Sequence, residues 1–158
     1  MDDDSSVAGS AASRLVALVR HAKAESGEGR DDHARELTGR GRRAAAEAGR
    51  WLAAHLPEPD LVWCSSAARA RQTWDAVSTS VSAGEVATER ALYLASATEV
   101  VDRVRRADAA TMVVVGHNPT IEEALTALTG ERRDLAPGAV AVVDLDQGAL
   151  VELWEPSR

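Results

Sequence analysis

Residues 111–119 read Thr-Met-Val-Val-Val-Gly-His-Asn-Pro, and this stretch decides the fold class. Its first five residues form a short apolar run rich in β-branched side chains, which is typical of a buried strand. Asn118 is a favoured N-cap, and Pro119 suits the first position of a helix. Ile121, Leu125 and Leu128 follow at helical spacing. The stretch therefore predicts a strand, a tight turn and a helix.

The same unit occurs twice earlier in the chain. The apolar run 14–19 ends at Arg20-His21, and Thr38 is a favoured cap for the long helix that follows the next polar loop. A second apolar run, residues 60–64, precedes a helix that we expect Ser65 or Ser66 to cap. Three repeats of strand, turn and helix indicate a parallel sheet.

The remaining signals complete an α/β architecture. Ser96-Ala97-Thr98-Glu99 has the spacing of a capping box and predicts a short helix. Residues 140–144 and 149–154 flank Asp146-Gln147-Gly148, which predicts a hairpin. We therefore expect a three-layer α/β/α sandwich with a mostly parallel central sheet and a C-terminal antiparallel hairpin.

The length of 158 residues is that of one domain, which we assign to residues 14–158. Residues 1–13 are mostly Asp, Ser, Ala and Gly without periodicity, and we predict a disordered tail. The single cysteine, Cys64, excludes an intramolecular disulfide and Cys-rich zinc sites. No apolar run approaches the roughly 20 residues that span a membrane, and the acidic N-terminus lacks the cationic start of a signal peptide. A cytoplasmic protein without a membrane partner is therefore expected.

The charge balance narrows the class of ligand. There are 25 acidic and 18 basic side chains, so the formal net charge is −7, and only 3% of residues are aromatic. Nucleic-acid binding needs a basic surface and usually aromatic stacking platforms, so nucleic acid is not an expected partner. Basic residues that gather in one place would then indicate a local anion site.

Basic side chains follow all three predicted parallel strands. Ligands of open α/β sheets bind beyond the carboxyl ends of the strands, near the N-termini of helices. The first strand ends at Arg20 and His21, the second is followed by Arg69 in the first turn of its helix, and the third ends at His117. Two guanidinium groups and two imidazoles at one edge of the sheet are the composition of a phosphate pocket.

Four motifs along roughly residues 14–130 resemble, in the same order, those of the histidine phosphatase superfamily, whose fold is phosphoglycerate mutase-like. Leu18-Val19-Arg20-His21-Ala22 is similar to its Arg-His-Gly signature, with Ala in place of Gly. Residues 65–73 are similar to its Ser-Pro-x-x-Arg-Ala-x-Gln-Thr segment, with Ser66 where Pro is common. Residues 115–119 resemble its second-histidine motif, and residues 37–41 its helix-opening motif. The short chain and the stretch from Arg20 to Glu25 look most like the small SixA-type phosphohistidine phosphatases.

The resemblance implies a phosphatase in which His21 is the nucleophile, while Arg20, Arg69 and His117 hold the phosphoryl oxygens and Asn118 helps to bind the substrate. A neutral imidazole is a competent nucleophile at about pH 7. Because arginine suits bidentate phosphate contact and prepositioned cations stabilise the transferring group, neither a metal nor a cofactor is expected. The expected partner is a phosphorylated protein or a small phosphorylated substrate.

The general acid is less evident. Asn118 stands where the acid-phosphatase branch has Asp, and Glu25 remains a candidate proton donor. Glu99 is explained by its capping box, and Glu122 and Glu123 by their place in the first turn of a helix. Imidazole, phenolate or carboxylate leaves easily without a positioned acid. The expected substrate is therefore phosphohistidine in a protein, or another phosphate with a good leaving group.

Three alternatives stay open: a small-molecule phosphomonoesterase of the same family, a mutase of that family, and a non-catalytic phosphate-binding module. Other phosphate chemistries fit the sequence less well. Cys64 and Arg69 enclose four residues, whereas the cysteine-phosphatase loop needs five, so a site of that kind is not predicted. The segment Asp144-Leu145-Asp146 is better explained by a hairpin turn than by an aspartyl-phosphate site. His33 and His55 are assigned no role.

Overall fold

The computed structural model describes residues 13–157. Within this range six strands form one sheet: β1 (Leu15–Arg20), β2 (Leu61–Ser65), β3 (Glu85–Glu89), β4 (Thr111–Gly116), β5 (Val140–Asp144) and β6 (Ala149–Trp154). Their order across the sheet is β3-β2-β4-β1-β5-β6. Strands β1 to β4 run parallel, whereas β5 is antiparallel to β1 and β6 is antiparallel to β5. The predicted mostly parallel sheet with a C-terminal hairpin is confirmed.

The helices cover both faces of this sheet. They are α1 (Gly39–His55), α2 (Ala68–Val77), α3 (Arg90–Tyr93), α4 (Ala97–Arg106) and α5 (Thr120–Thr129), with one turn of 3-10 helix at Asp32–Ala34. Val16 and Leu18 of β1 pack in a cluster with residues of α4 and α5, whereas Ala17 and Val19 pack with residues of α1 and α2. Because successive strand residues point to opposite faces, the sheet is the middle of three layers, as predicted.

Two local predictions are confirmed and two are wrong. Thr38 caps α1 by accepting a hydrogen bond from the Gly41 backbone N–H, and Ser96 with Glu99 forms the predicted capping box. The N-cap of α2, however, is Ala67 rather than Ser65 or Ser66. Strand β2 extends to Ser65, so both serines lie at the edge of the sheet and bond to histidines instead.

The start of α5 also differs from the prediction. The helix begins at Thr120 with Pro119 as the N-cap, so the predicted cap, Asn118, lies one residue too early. Its side chain still serves the first turn, because Asn118 Oδ1 accepts a hydrogen bond from the Glu122 N–H at 3.3 Å. Strand β3 was not predicted, since its sequence Glu-Val-Ala-Thr-Glu is polar and partly exposed at the edge of the sheet.

The topology brings the three predicted functional junctions together. Strand β4 lies between β1 and β2 and runs parallel to both. The segments that follow their carboxyl ends therefore share one edge of the sheet. Within residues 13–157, no helix is long and apolar enough to cross a membrane. The predicted N-terminal tail lies outside the described residues except for Ser13.

Candidate active site

The sequence-predicted basic residues meet beyond the carboxyl ends of β1, β2 and β4. The ring centroids of His21 and His117 are 5.2 Å apart, and Arg69 Nε donates a hydrogen bond to His21 Nε2 at 3.3 Å. Arg20 Nη1 and Asn118 Nδ2 both donate to the Leu135 carbonyl, at 2.7 and 3.4 Å. The structure thus brings together residues separated by about 100 positions in the chain.

Hydrogen bonding fixes which nitrogen of His21 is available for reaction. Its Nδ1 lies 2.8 Å from the Ala22 carbonyl oxygen, which can only accept a hydrogen bond. Nδ1 therefore carries the ring proton, and the lone pair of Nε2 accepts the hydrogen bond from Arg69 Nε. Burial lowers the pKa of His21 from 6.5 to about 3, with smaller lowering contributions from His117, Arg69 and Arg20. The ring is neutral at about pH 7, the state that a nucleophile needs.

The loop that carries His21 is held against α2. The His21 N–H donates to the Gly116 carbonyl at 2.9 Å. The Ala22 N–H donates to Thr73 Oγ1 at 3.0 Å, and the same hydroxyl donates to the Arg69 carbonyl at 2.8 Å. Ala22, which replaces the usual glycine, is fully buried. One threonine thus links the loop that carries His21 to the helix that carries Arg69.

His117 contributes a second neutral ring. Its Nε2 lies 2.7 Å from Ser65 Oγ, and burial lowers its pKa from 6.5 to about 4. Among the described residues, two buried side-chain nitrogens have no hydrogen-bond partner: His117 Nδ1 and Arg20 Nε. A buried polar atom without a partner costs roughly 1–3 kcal/mol. An anion bound between these residues could satisfy both atoms.

Arg69 is held by a carboxylate that the sequence did not single out. The arginine is 6% exposed; Nη1 donates to the Asp32 carbonyl at 2.7 Å and Nη2 to Asp32 Oδ2 at 3.1 Å. The Tyr93 hydroxyl donates to the same Oδ2 at 2.7 Å. This hydroxyl, followed by the Arg35 and Arg69 guanidinium groups, holds the pKa of Asp32 below its usual value, while Asp32 raises the pKa of Tyr93. Asp32 is therefore ionised at about pH 7 and orients Arg69.

His33, which was given no role from the sequence, also lies in this cluster. Its Nε2 is 2.8 Å from Ser66 Oγ, and its ring meets the Tyr93 ring edge-on with centroids 4.8 Å apart. The Tyr93 ring lies 5.6 Å from the ring of His117. No local sequence pattern distinguishes His33, because its contact with Ser66 joins residues 33 positions apart.

Among the described residues, the Glu25 carboxylate forms no hydrogen bond with the histidines or with Arg69. The Glu25 side chain is exposed, and its carboxylate lies 3.9 Å from Arg30 Nη1. Cys64 is buried in β2, which raises its pKa to about 12. Asp144 Oδ1 accepts hydrogen bonds from the N–H groups of Asp146 and Gln147, as expected for a turn. Within residues 13–157, no three His, Cys, Asp or Glu side chains are grouped so as to hold a metal ion.

Comparison with known proteins assigns the family of this site. A sequence model described as histidine phosphatase superfamily (branch 1) matches residues 16–93, the segment that contains His21, Asp32, Arg69 and Tyr93. The solved structure of the candidate phosphohistidine phosphatase SixA of Nakamurella multipartitia is 37% identical, with a TM-score of 0.82 over 94% of this chain and 99% of that one. The chain belongs to the histidine phosphatase superfamily.

Other relatives of this histidine phosphatase extend the comparison. The candidate phosphohistidine phosphatase SixA of Agrobacterium tumefaciens is 28% identical, with a TM-score of 0.83 over 91% of this chain and 99% of that one. An uncharacterized protein of Mycobacterium tuberculosis is 44% identical over 104 residues, which are 65% of this chain and 64% of that protein. The match therefore spans less than two thirds of that relative's length. The predicted family, with its resemblance to SixA, and the predicted phosphoglycerate mutase-like fold are confirmed.

Proposed function

We propose that this histidine phosphatase removes phosphate through a phosphohistidine intermediate at His21 and acts on phosphohistidine in proteins, or on another phosphate with a good leaving group. The observation that carries the proposal is the hydrogen-bond pattern of His21: the proton is held on Nδ1 by the Ala22 carbonyl, while Nε2 faces the guanidinium group of Arg69. A neutral nucleophile beside a fixed cation is suited to attack on a phosphoryl group.

In the first step the hydrogen bond from Arg69 Nε to His21 Nε2 is exchanged for one to a phosphoryl oxygen, and the freed lone pair of Nε2 attacks phosphorus. The bond from phosphorus to the leaving nitrogen or oxygen breaks, and the leaving group takes its electron pair. Arg20 Nε, Arg69 and His117 Nδ1 would donate hydrogen bonds to the three phosphoryl oxygens, where negative charge develops. For His117, this requires that Ser65 Oγ donates to Nε2, so that Nδ1 carries the ring proton.

In the second step water attacks the phosphorus of the intermediate. The bond to His21 Nε2 breaks, its electron pair returns to the ring, and inorganic phosphate leaves with both protons of the water. Because the charge of Arg20 and Arg69 would offset that of the phosphoryl group, we expect both steps to proceed with divalent metals chelated.

The ionisation of the site supports the substrate class. Among the described residues, Asp32 is the carboxylate that bonds to Arg69, and its lowered pKa keeps it ionised, so it has no proton to donate. Glu25 is exposed and faces Arg30, although it stays a candidate donor. Without a fixed acid, an alkyl alkoxide leaves poorly, whereas an imidazole or a phenolate leaves readily. Phosphohistidine and aryl or acyl phosphates are thus favoured over sugar phosphates.

The test compares phosphate release from a phosphohistidine peptide and from 4-nitrophenyl phosphate, in EDTA, by the wild type, His21→Ala and His55→Ala. His55 is a matched control, since it is exposed at the end of α1 and bonds to the Trp51 carbonyl. We expect His21→Ala to lose activity and His55→Ala to keep it. With a labelled substrate, alkaline denaturation should leave phosphate on the wild type and not on His21→Ala.

Three outcomes would contradict parts of the proposal. Activity that survives in His21→Ala would mean that another residue is the nucleophile. Efficient turnover of alkyl phosphates, with none of phosphohistidine, would refute the substrate class. Phosphate binding without turnover of any substrate would favour a binding module.

A further inference from the structure

A groove with a volume of about 820 Å³ runs along α1, next to the nucleophile loop. Residues 136–137 and 155–157 form its opposite wall. This wall is joined to the candidate active site, because the Gly138 N–H donates to the carbonyls of Arg20 and His21, both at 3.1 Å. The groove has the size of clefts that take ligands, which span roughly 300–1,000 Å³.

The groove is basic in a protein whose formal net charge is −7. It is lined by the exposed cations Lys23, Arg40, Arg43 and Arg50, against the two carboxylates of Glu47 and Glu155. The three arginines share one face of α1, because they are spaced by three and seven residues. Lys23 lies two residues after His21, so the positive charge begins beside the candidate nucleophile.

These cations differ from the other exposed arginines nearby. On the same helix Arg42 lies 3.6 Å from Glu36, and in the neighbouring loop Arg30 lies within 4 Å of Glu25 and Glu36. Within residues 13–157, none of the four groove cations lies within ion-pair distance of a carboxylate. No described carboxylate therefore neutralises their charge through a direct ion pair.

We infer that this groove binds an acidic segment of the protein that carries the phosphorylated residue, next to that residue. The inference rests on the proposed function, and it describes the substrate protein by the negative charge of the segment that binds. Opposite charge attracts such a segment and fixes its register. Among the described residues that line the groove, none is aromatic and could stack bases, and the apolar ones are alanine and proline, which would anchor poorly in a membrane. An acidic polypeptide fits this lining best.

The first arm of the test measures binding and does not need catalysis. A fluorescein-labelled, unphosphorylated peptide with a run of five Glu, and the same peptide with Gln, are titrated against the wild type and Arg40→Gln/Arg43→Gln by anisotropy. The control variant is Arg105→Gln/Arg106→Gln, which makes the same change of charge on exposed residues of α4. We expect the Kd of the Glu peptide to rise about tenfold in the groove variant only, as two partly exposed ion pairs are lost, and to rise with salt in the wild type.

The second arm measures turnover of a phosphohistidine peptide with the same acidic flank. We expect the groove variant to raise KM about tenfold and to leave kcat unchanged, while turnover of 4-nitrophenyl phosphate does not change. Arginine-dependent binding without turnover of any substrate would uphold the docking surface and refute the proposed catalysis. Turnover with the same KM in the wild type and in the groove variant would uphold the proposed catalysis and refute the docking surface.

Other occupants are distinguished in the same experiments. Equal affinity of the wild type and the groove variant for the Glu peptide would overturn the inference. So would tighter arginine-dependent binding of a single-stranded oligonucleotide than of the Glu peptide. Light scattering that shows a wild-type dimer, dissociated by Arg40→Gln/Arg43→Gln, would assign the groove to a second copy of this chain and would also overturn it.

Discussion

Acid should destabilise this protein through two partly buried imidazoles. Burial lowers the pKa of His21 from 6.5 to about 3 and that of His117 from 6.5 to about 4. Between these values and about pH 6.5, the unfolded chain binds protons that the folded chain does not. The free energy of unfolding therefore falls as the pH falls from about 6.5, and the loss from each ring is complete once the pH is below its folded pKa.

The size of the effect follows from the interval between pH and the unfolded pKa. At about pH 5 the rings of the unfolded chain are protonated and those of the folded chain are largely neutral. Because this pH lies about 1.5 units below the unfolded pKa, each ring lowers the free energy of unfolding by about 2 kcal/mol. The two rings together cost about 4 kcal/mol relative to about pH 7. This loss is a large part of the free energy of unfolding of a typical domain, which is about 5–15 kcal/mol.

Urea unfolding at about pH 7 and about pH 5 measures this loss. The buffers must lack phosphate, since an anion bound to the folded site would mask the change. We expect the pH-dependent loss in His21→Asn/His117→Asn to be smaller than in the wild type by about 4 kcal/mol. The variant His55→Asn, which removes an exposed histidine, should keep the wild-type loss. Equal losses in the double variant and the wild type would refute the burial of two neutral rings.

Two further predictions concern residues that support the site. Asp32→Asn removes the charge that orients Arg69, so kcat/KM for an aryl phosphate should fall about tenfold. The control Asp31→Asn, whose side chain makes no capping bond, should change kcat/KM less than about twofold. Equal effects of the two substitutions would contradict the orienting role of Asp32. Gly41→Ala would place a Cβ against the Lys23 backbone carbonyl and should destabilise the protein by about 1–3 kcal/mol, whereas an added Cβ at Gly39 meets only the Arg43 side chain at 3.5 Å. Urea unfolding of both variants checks this, and a Gly41→Ala protein as stable as Gly39→Ala would be inconsistent with the close approach.

Local patterns were enough for most of the architecture. Apolar runs of five or six residues marked β1, β2 and β4, because strands buried on both faces need continuous apolar sequence. Strand β3 could not be predicted in this way, since it lies at the edge of the sheet and is largely exposed. The cap of α2 also escaped, because the chain offered two serines whose hydroxyls bond to histidines of the site instead.

For the site, the sequence by itself determined which basic residues follow the strands. Arg20, His21, Arg69 and His117 could be named because each lies at the junction of a strand and a helix, and parallel strands bring such junctions to one edge. Their catalytic roles, the absence of a cofactor and the cytoplasmic location stay predictions.

Only the tertiary structure decided how these residues are held and ionised. Asp32 and His33 lie in a polar loop without periodicity, and Tyr93 ends a helix of four residues, so no local pattern distinguishes them. The bond from Tyr93 to Asp32 joins residues 61 positions apart, and the bond from Arg69 to Asp32 spans 37. The lowered pKa of His21 likewise depends on burial by segments distant in the chain. Such contacts, and the loss of hydration that lowers the pKa, exist only after folding. A local pattern along the chain therefore does not predict them.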